Sequence, residues 1–136
     1  MFLNLLNDVE KSIFLKLAIS VIQVDGKLEE NEKSFIADYS REMGIENYAL
    51  DKKTDPIPLA EEIGKGSVDS VKRIFLLELL ACANADGDFA ESEKALIQSF
   101  VKAFGLSESD SQSCLDLLKE YTTISAKLMK FVQGEK

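Results

Sequence analysis

The fold follows from an acidic turn that the chain contains twice, first as Asp25-Gly26-Lys27-Leu28-Glu29-Glu30-Asn31-Glu32-Lys33 and then, 61 residues later, as Asp86-Gly87-Asp88-Phe89-Ala90-Glu91-Ser92-Glu93-Lys94. The same gap-free offset extends the match to Asp8–Ile45 and Asp69–Leu106. A constant offset over this length indicates a duplicated supersecondary unit. The sequence therefore predicts two copies of a helix-turn-helix unit.

The composition favours a single helical domain. The chain has 136 residues, 46% of them hydrophobic, which is enough for a core without a disulfide or a metal. It has two proline and seven glycine residues and is rich in helix-forming residues. We expect an all-α bundle of about six or seven helices.

The predicted domain divides into four segments. They are repeat one (8–45), a linker with a short helix (46–67), repeat two (68–106) and a C-terminal helical segment (107–133). In the linker, Pro58 can open a short helix over Leu59–Ile63 as its first residue. Ser107 and Asp110 resemble a capping box at the start of the last helix. Thr122-Thr123 is the candidate position for a bend or break in that helix.

The two helices of each repeat differ in hydrophobic pattern. The first helix, at about Asp8–Val24 and Val68–Ala85, is apolar almost all round, which is typical of a central helix. The second is amphipathic and is followed by Gly44 or Gly105, which can adopt the left-handed conformation that closes a helix. Glu78 lies within an apolar first helix, and we expect it to be solvated or paired with a lysine, with a carboxylate tuned for catalysis as the alternative.

The charge limits the classes of partner. The formal charge is −8 and the pI is near 4.6, so the protein repels nucleic acids and anionic lipids, and a cation or a protein with a basic face is the expected partner. The apolar run Ile74–Ala83 is too short to cross a bilayer, so no direct membrane insertion is expected. Met1 and the residues after it lack the pattern of a signal peptide, which predicts a cytoplasmic protein. Cys82 and Cys114 are expected to be buried thiols.

The acidic turns overlap part of a calcium-binding EF-hand loop. Their Asp, Gly, apolar residue and Glu match positions five, six, eight and twelve of that loop. Position one would be Val21 or Cys82, neither of which is a carboxylate, and the first helix is expected to continue through it. We therefore exclude an EF-hand. The second turn is the better cation site, because it concentrates five oxygen-bearing side chains: Asn84, Asp86, Asp88, Glu91 and Glu93.

A purely structural role fits the same turns. The glycines let the chain reverse, and Asp25 and Asp86 can bond turn amides. Glu32 and Glu93 would be the third residues of the following helices, where a Glu can bond the cap amide and meets the positive end of the helix dipole. Both interpretations remain open on the sequence alone.

At these turns the chain resembles the TerB-like family, named for a tellurite-resistance protein, and the resemblance extends over about residues 6–109. It implies an all-helical bundle with pseudo-twofold symmetry that is not an enzyme and is associated with tellurite and general stress resistance in bacteria. The resemblance also implies a divalent-cation site. In this chain, the residues at the positions of that site are Asp25, Glu32, Asp86 and Glu93, with Asp88 as an additional carboxylate.

Two functions follow as hypotheses. The first is a cation-responsive stress protein in which the carboxylates of both turns share calcium, magnesium or manganese; the absence of histidine argues against a dedicated zinc site. The second is a metal-independent interaction module with an acidic surface. Enzymatic activity is the weakest hypothesis, since a chain without histidine has no Ser-His or Cys-His pair and no phosphate-binding loop is found.

Overall fold

The computed structural model describes residues 2–24, 37–38, 40–41, 55–83 and 91–134. Within these ranges all regular structure is helical and no strand occurs. The elements are a 3-10 turn (Leu3–Leu5), α1 (Asp8–Ile22), α2 (Ile57–Gly66), α3 (Asp69–Ala83), α4 (Glu91–Phe104) and α5 (Glu108–Val132). The predicted all-α class is confirmed.

The described ranges hold five α-helices, against about six or seven predicted. Four further described residues are also helical: Ala37, Asp38, Ser40 and Arg41. They belong to the predicted second helix of repeat one, and the rest of that helix lies outside the described residues. Asp38 and Arg41 form an exposed ion pair of 2.7 Å, with the spacing expected on one face of a helix.

α1 and α3 begin at equivalent positions. Asp69, the first residue of α3, lies 61 positions after Asp8, the first residue of α1. Seven of the eight buried residues of α1 also have a buried residue at the equivalent position of α3. Both are central helices of the core, as their nearly continuous apolar circumference predicts.

Aromatic rings connect α1, α3 and α4. The ring centroids of Phe14 and Phe75 are 5.7 Å apart at an interplanar angle of 81°. Phe75 also meets Phe104 edge-on, with centroids 5.8 Å apart, and Phe104 lies beside Phe100 at 6.3 Å. All four rings are fully buried. Edge-to-face pairs of this kind add about 0.5–1.5 kcal/mol to the burial of the rings themselves.

The helix ends follow local sequence signals. The predicted capping box is present, because Ser107 Oγ accepts from the Asp110 N–H at 3.1 Å and Asp110 Oδ2 accepts from the Ser107 N–H at 3.0 Å. Gly105 has a φ of 79°, so it closes α4 in the left-handed conformation as predicted. A second capping box, between Asn7 and Glu10, starts α1 and was not predicted. These bonds satisfy N–H groups that have no partner inside a helix.

The linker helix α2 is longer than the predicted Leu59–Ile63 segment. It begins at Ile57, which makes Pro58 its second residue, and it continues through Gly64 to Gly66. Gly64 does not end the helix because it lies against α4. A Cβ at this position would overlap the carbonyl oxygen of Ala103. The glycine therefore permits the close contact between α2 and α4.

α5 runs without interruption through Thr122-Thr123, so the break predicted there as an alternative to a bend is absent. The Thr122 hydroxyl donates to the Leu118 carbonyl at 2.9 Å, which accommodates its polar group within the helix. Packing against the core is confined to the first part of α5. Leu118 is buried, whereas every residue from Lys119 to Gly134 is exposed.

Candidate functional site

The second acidic turn lies between α3, which ends at Ala83, and α4, which begins at Glu91. Glu93 lies in the first described turn of α4 and is half-buried. The capping interpretation places Glu93 near the start of this helix. The helix N-terminus carries a partial positive charge that favours a carboxylate there. Glu93 is therefore fixed in the first helical turn after the acidic segment.

Glu91 lies beside Glu93 in sequence but makes a different contact. Its Oε1 accepts from Lys94 Nζ at 3.3 Å, and both side chains are at least half exposed. An exposed pair of this kind contributes about 0–1 kcal/mol. The ion pair with Lys94 is a sufficient role for the Glu91 carboxylate, so no cation needs to be assumed there.

The other four predicted ligands, Asp25, Glu32, Asp86 and Asp88, lie outside the described residues. The predicted ligand set therefore stays a prediction. Among the residues that are described, no group of three or more His, Cys, Asp or Glu side chains could hold a metal ion.

The exclusion of an EF-hand agrees with the helices. Val21 and Cys82, the residues at position one of such a loop, lie inside α1 and α3 and are buried. An EF-hand needs a ligating oxygen at that position, outside the helix. A cation at either turn would therefore need ligands that come after Val21 or Cys82 in the sequence.

Glu78 is buried, so the expectation that it would be solvated is wrong. It is 2% exposed, and its Oε1 accepts from the Phe2 N–H at 2.9 Å. The N-terminal turn brings this N–H to α3 because Leu3 and Leu6 insert into the core. The carboxylate thus connects the N-terminal turn to α3. Sequence reasoning missed this role because the donor lies 76 residues away and belongs to the backbone.

An ion-pair cluster connects the start of α3 to the start of α5. Arg73 donates to Asp69 at 2.7 Å and to Asp110 at 3.2 Å. The hydrogen bond with Asp69 is the main cause of a raised Arg73 pKa. The backbone N–H of Ser107 is the main cause of a lowered Asp110 pKa. Arg73, Asp69 and Asp110 thus bond to one another and to the start of α5. The cluster therefore has a structural role.

Both cysteines are thiols outside any disulfide, as predicted. Cys82 is buried in α3 and Cys114 is half-buried in α5. Burial raises the pKa of Cys114 to about 11. Since the thiolate is the reactive form, Cys114 is a poor nucleophile near neutral pH.

A shallow groove between α2 and α4 is lined by three lysines, Lys65, Lys72 and Lys102. Lys65 and Lys102 are in the last turns of their helices, where a positive charge complements the helix dipole. Stabilisation of the helix ends is therefore a sufficient reason for Lys65 and Lys102, and no bound ligand needs to be assumed.

In the part of the chain that the structure describes, none of the helices combines the length and the apolar character needed to cross a membrane.

Comparison with known proteins identifies a family. The family model described as tellurite resistance protein TerB matches residues 46–115, just over half of the chain. The match includes α2, α3, α4 and the second acidic turn, and it does not reach α1 or the first turn. No curated protein and no solved structure matches the chain. The chain belongs to the TerB family.

Proposed function

We propose that this TerB protein is a non-enzymatic, cation-responsive protein of stress resistance. Asp86, Asp88 and Glu93 of the second acidic turn supply the main ligands for a divalent cation, and Asp25 and Glu32 of the first turn complete the set. The observation that carries the proposal is the position of Glu93 in the first turn of α4, directly after the acidic segment. In sequence, Glu93 follows Asp86 by seven residues and Asp88 by five.

Participation of both turns is supported by the pairing of α1 with α3. The two turns follow α1 and α3 in sequence, and these helices begin at Asp8 and Asp69, which are 61 positions apart. The contact between Phe14 and Phe75 also joins equivalent positions. A contact between equivalent residues is expected where a twofold axis passes, so it favours the duplicated, pseudo-symmetric arrangement.

The second turn is the stronger half of the proposed site. It has Asp88 where the first turn has Lys27, so the two turns differ by two units of charge at this position. The family match also covers the second turn and not the first. A cation bound mainly by the second turn would relieve the repulsion among its carboxylates.

The chemistry of the ligands favours calcium, magnesium or manganese. All five side chains offer carboxylate oxygen, which these ions prefer. A chain without histidine lacks a usual zinc ligand. The proposed link to tellurite resistance rests on the name of the family to which the chain belongs.

Thermal unfolding with each ion tests the proposal. We expect calcium, magnesium or manganese to raise the melting temperature, since a ligand that binds only the folded state stabilises it. Asp86→Asn should abolish the increase, and Asp25→Asn should reduce it. Glu62→Gln is the matched control, because Glu62 is exposed on α2 outside the proposed site. Identical melting curves of the unmodified protein with and without each ion would refute the proposal.

The alternative is a metal-independent module that binds a protein with a basic face. The net charge of −8 favours it. This function predicts association that weakens with salt and does not respond to a chelator. A pull-down from the native host with and without chelator separates the two functions.

A further inference from the structure

The exposed half of α5 carries an apolar strip along one side, which we call the seam. Its residues are Leu117, Tyr121, Ile124, Leu128 and Phe131, and each is between 55% and 81% exposed. Successive members are separated by four, three, four and three residues. This spacing is the heptad pattern of a helix that packs lengthwise against another helix. Met129 and Val132, which are 57% and 79% exposed, lie beside the seam near the end of α5.

The seam is distinct from the side of α5 that packs on its own domain. Leu118 is 6% exposed, whereas the adjacent Leu117 is 61% exposed. Neighbouring residues point about 100° apart around a helix. The seam therefore faces away from the core even where α5 is still packed against the core, so the core does not cover it.

Charge along α5 favours another copy of the same helix in the antiparallel direction. The first half, up to Glu120, carries four acidic residues and one lysine: Glu108, Asp110, Asp116, Lys119 and Glu120. The second half, from Tyr121 to Val132, has two charged residues, Lys127 and Lys130. Antiparallel pairing places the acidic half of each helix beside the basic half of the other. Parallel pairing would place like charges together.

We propose that the protein forms a homodimer through an antiparallel coiled coil of the two seams. The heptad register aligns Tyr121 with Ile124 of the second copy and Leu117 with Leu128 of the second copy. In this alignment Glu120 flanks the seam close to Lys127 of the second copy, and symmetry creates that pair twice. The chain supplies both the apolar contact and its complementary charges, which makes a second copy the occupant of the seam.

The size of the seam suits a reversible dimer. From Leu117 to Phe131 it is about 21 Å long, or four helical turns. It can bury on the order of 600 Å² per copy, near the lower limit for specific protein–protein interfaces. An amphipathic helix can also lie on a lipid surface, but such helices usually carry a strongly basic polar face. The acidic first half of α5 and the overall charge of −8 disfavour that use.

Sedimentation equilibrium of the full chain over a range of concentrations tests the proposal. We expect a reversible monomer–dimer equilibrium that Ile124→Glu weakens at least tenfold. Far-UV circular dichroism should stay unchanged, because Ile124 is exposed. Ala126→Glu is the control, since Ala126 lies on the opposite side of α5 and is also exposed.

A charge exchange tests the direction of the pair. Glu120→Lys and Lys127→Glu should each weaken the dimer about tenfold, because each change creates two like-charge contacts. The double variant should restore the dimer to within about twofold by recreating opposite charges. A dimer that the single changes leave intact, or that the double change does not restore, would overturn the antiparallel pair. A monomer at every concentration, or a monomer that binds neutral lipid vesicles through Ile124, would overturn the homodimer.

Discussion

The Phe14 ring meets the Phe75 ring edge-on, with centroids 5.7 Å apart, and the two residues are equivalent in the 61-residue offset. Phe75 makes a second edge contact with Phe104, so its ring lies between α1 and α4. The core is therefore organised around residues that the sequence repeat had already paired. This contact connects the two halves of the predicted duplication.

Truncation of either ring should destabilise the protein strongly. We expect Phe75→Ala to lower the free energy of unfolding by about 3–5 kcal/mol, as for other buried aromatic residues. Phe14→Ala should also destabilise the protein, because the Phe14 ring is fully buried against the Phe75 ring. Urea denaturation of Phe14→Leu, Phe75→Leu and the double variant should give a coupling energy of about 0.5–1.5 kcal/mol. Purely additive losses would show that the edge contact contributes nothing specific.

Gly64 and Gly66 form a matched pair in α2. Gly64→Ala should destabilise the protein by about 1–3 kcal/mol, because the new methyl group overlaps the Ala103 carbonyl and forces α2 away from α4. Gly66→Ala should be neutral or stabilise by up to about 1 kcal/mol, since a Cβ there has open space and alanine favours a helix. Thermal and urea unfolding measure both changes. Equal effects of the two substitutions would contradict the close contact at Gly64.

Glu78 should be more sensitive to loss of its oxygen than to loss of its charge. Glu78→Ala should cost about 2–4 kcal/mol, because it leaves a cavity and deprives the Phe2 N–H of its acceptor. Glu78→Gln keeps an acceptor of the same shape and should cost clearly less. Chemical denaturation measures both, with exposed Glu62→Gln as a control near zero. An equal loss for the alanine and glutamine variants would show that the hydrogen bond to Phe2 is unimportant.

Cys114 should make the stability of the protein depend on alkaline pH. In the unfolded chain its thiol ionises near its ordinary pKa of about 8.5, whereas burial raises the folded-state pKa to about 11. The stabilisation linked to this proton is fully present below the ordinary pKa and is lost as the pH rises through the folded-state value. The difference in unfolding free energy between the unmodified protein and Cys114→Ala should therefore shrink over that range. A constant difference from pH 8 to about 11 would contradict the raised pKa.

Much of the fold could be predicted because its signals are local or repeated. The offset between Asp25 and Asp86 predicts two central helices, and α1 and α3 begin at positions separated by that offset. The capping box at Ser107 and the left-handed Gly105 also follow from residues close in sequence. The predictions that failed depend on tertiary contacts. Glycine is a weak helix former, but Gly64 remains helical because of its contact with α4.

The burial of an individual polar residue also could not be predicted from the sequence. Glu78 lies 61 positions after Leu17, and both residues are buried. The repeat alone would have predicted a buried residue at position 78, but a charged side chain is usually exposed. The exposure of the α5 seam could not be predicted, because its hydrophobic spacing also fits a helix packed on its own core. Of the five predicted ligands, Glu93 alone is among the described residues, and it lies in the first described turn of α4.

A crystal structure of the protein grown with calcium tests the central claim most directly. The proposed function predicts an ion within about 2.3–2.6 Å of carboxylate oxygens from Asp86, Asp88 and Glu93. An ordered second turn whose carboxylates contact water and backbone amides alone, with calcium present throughout, would contradict it.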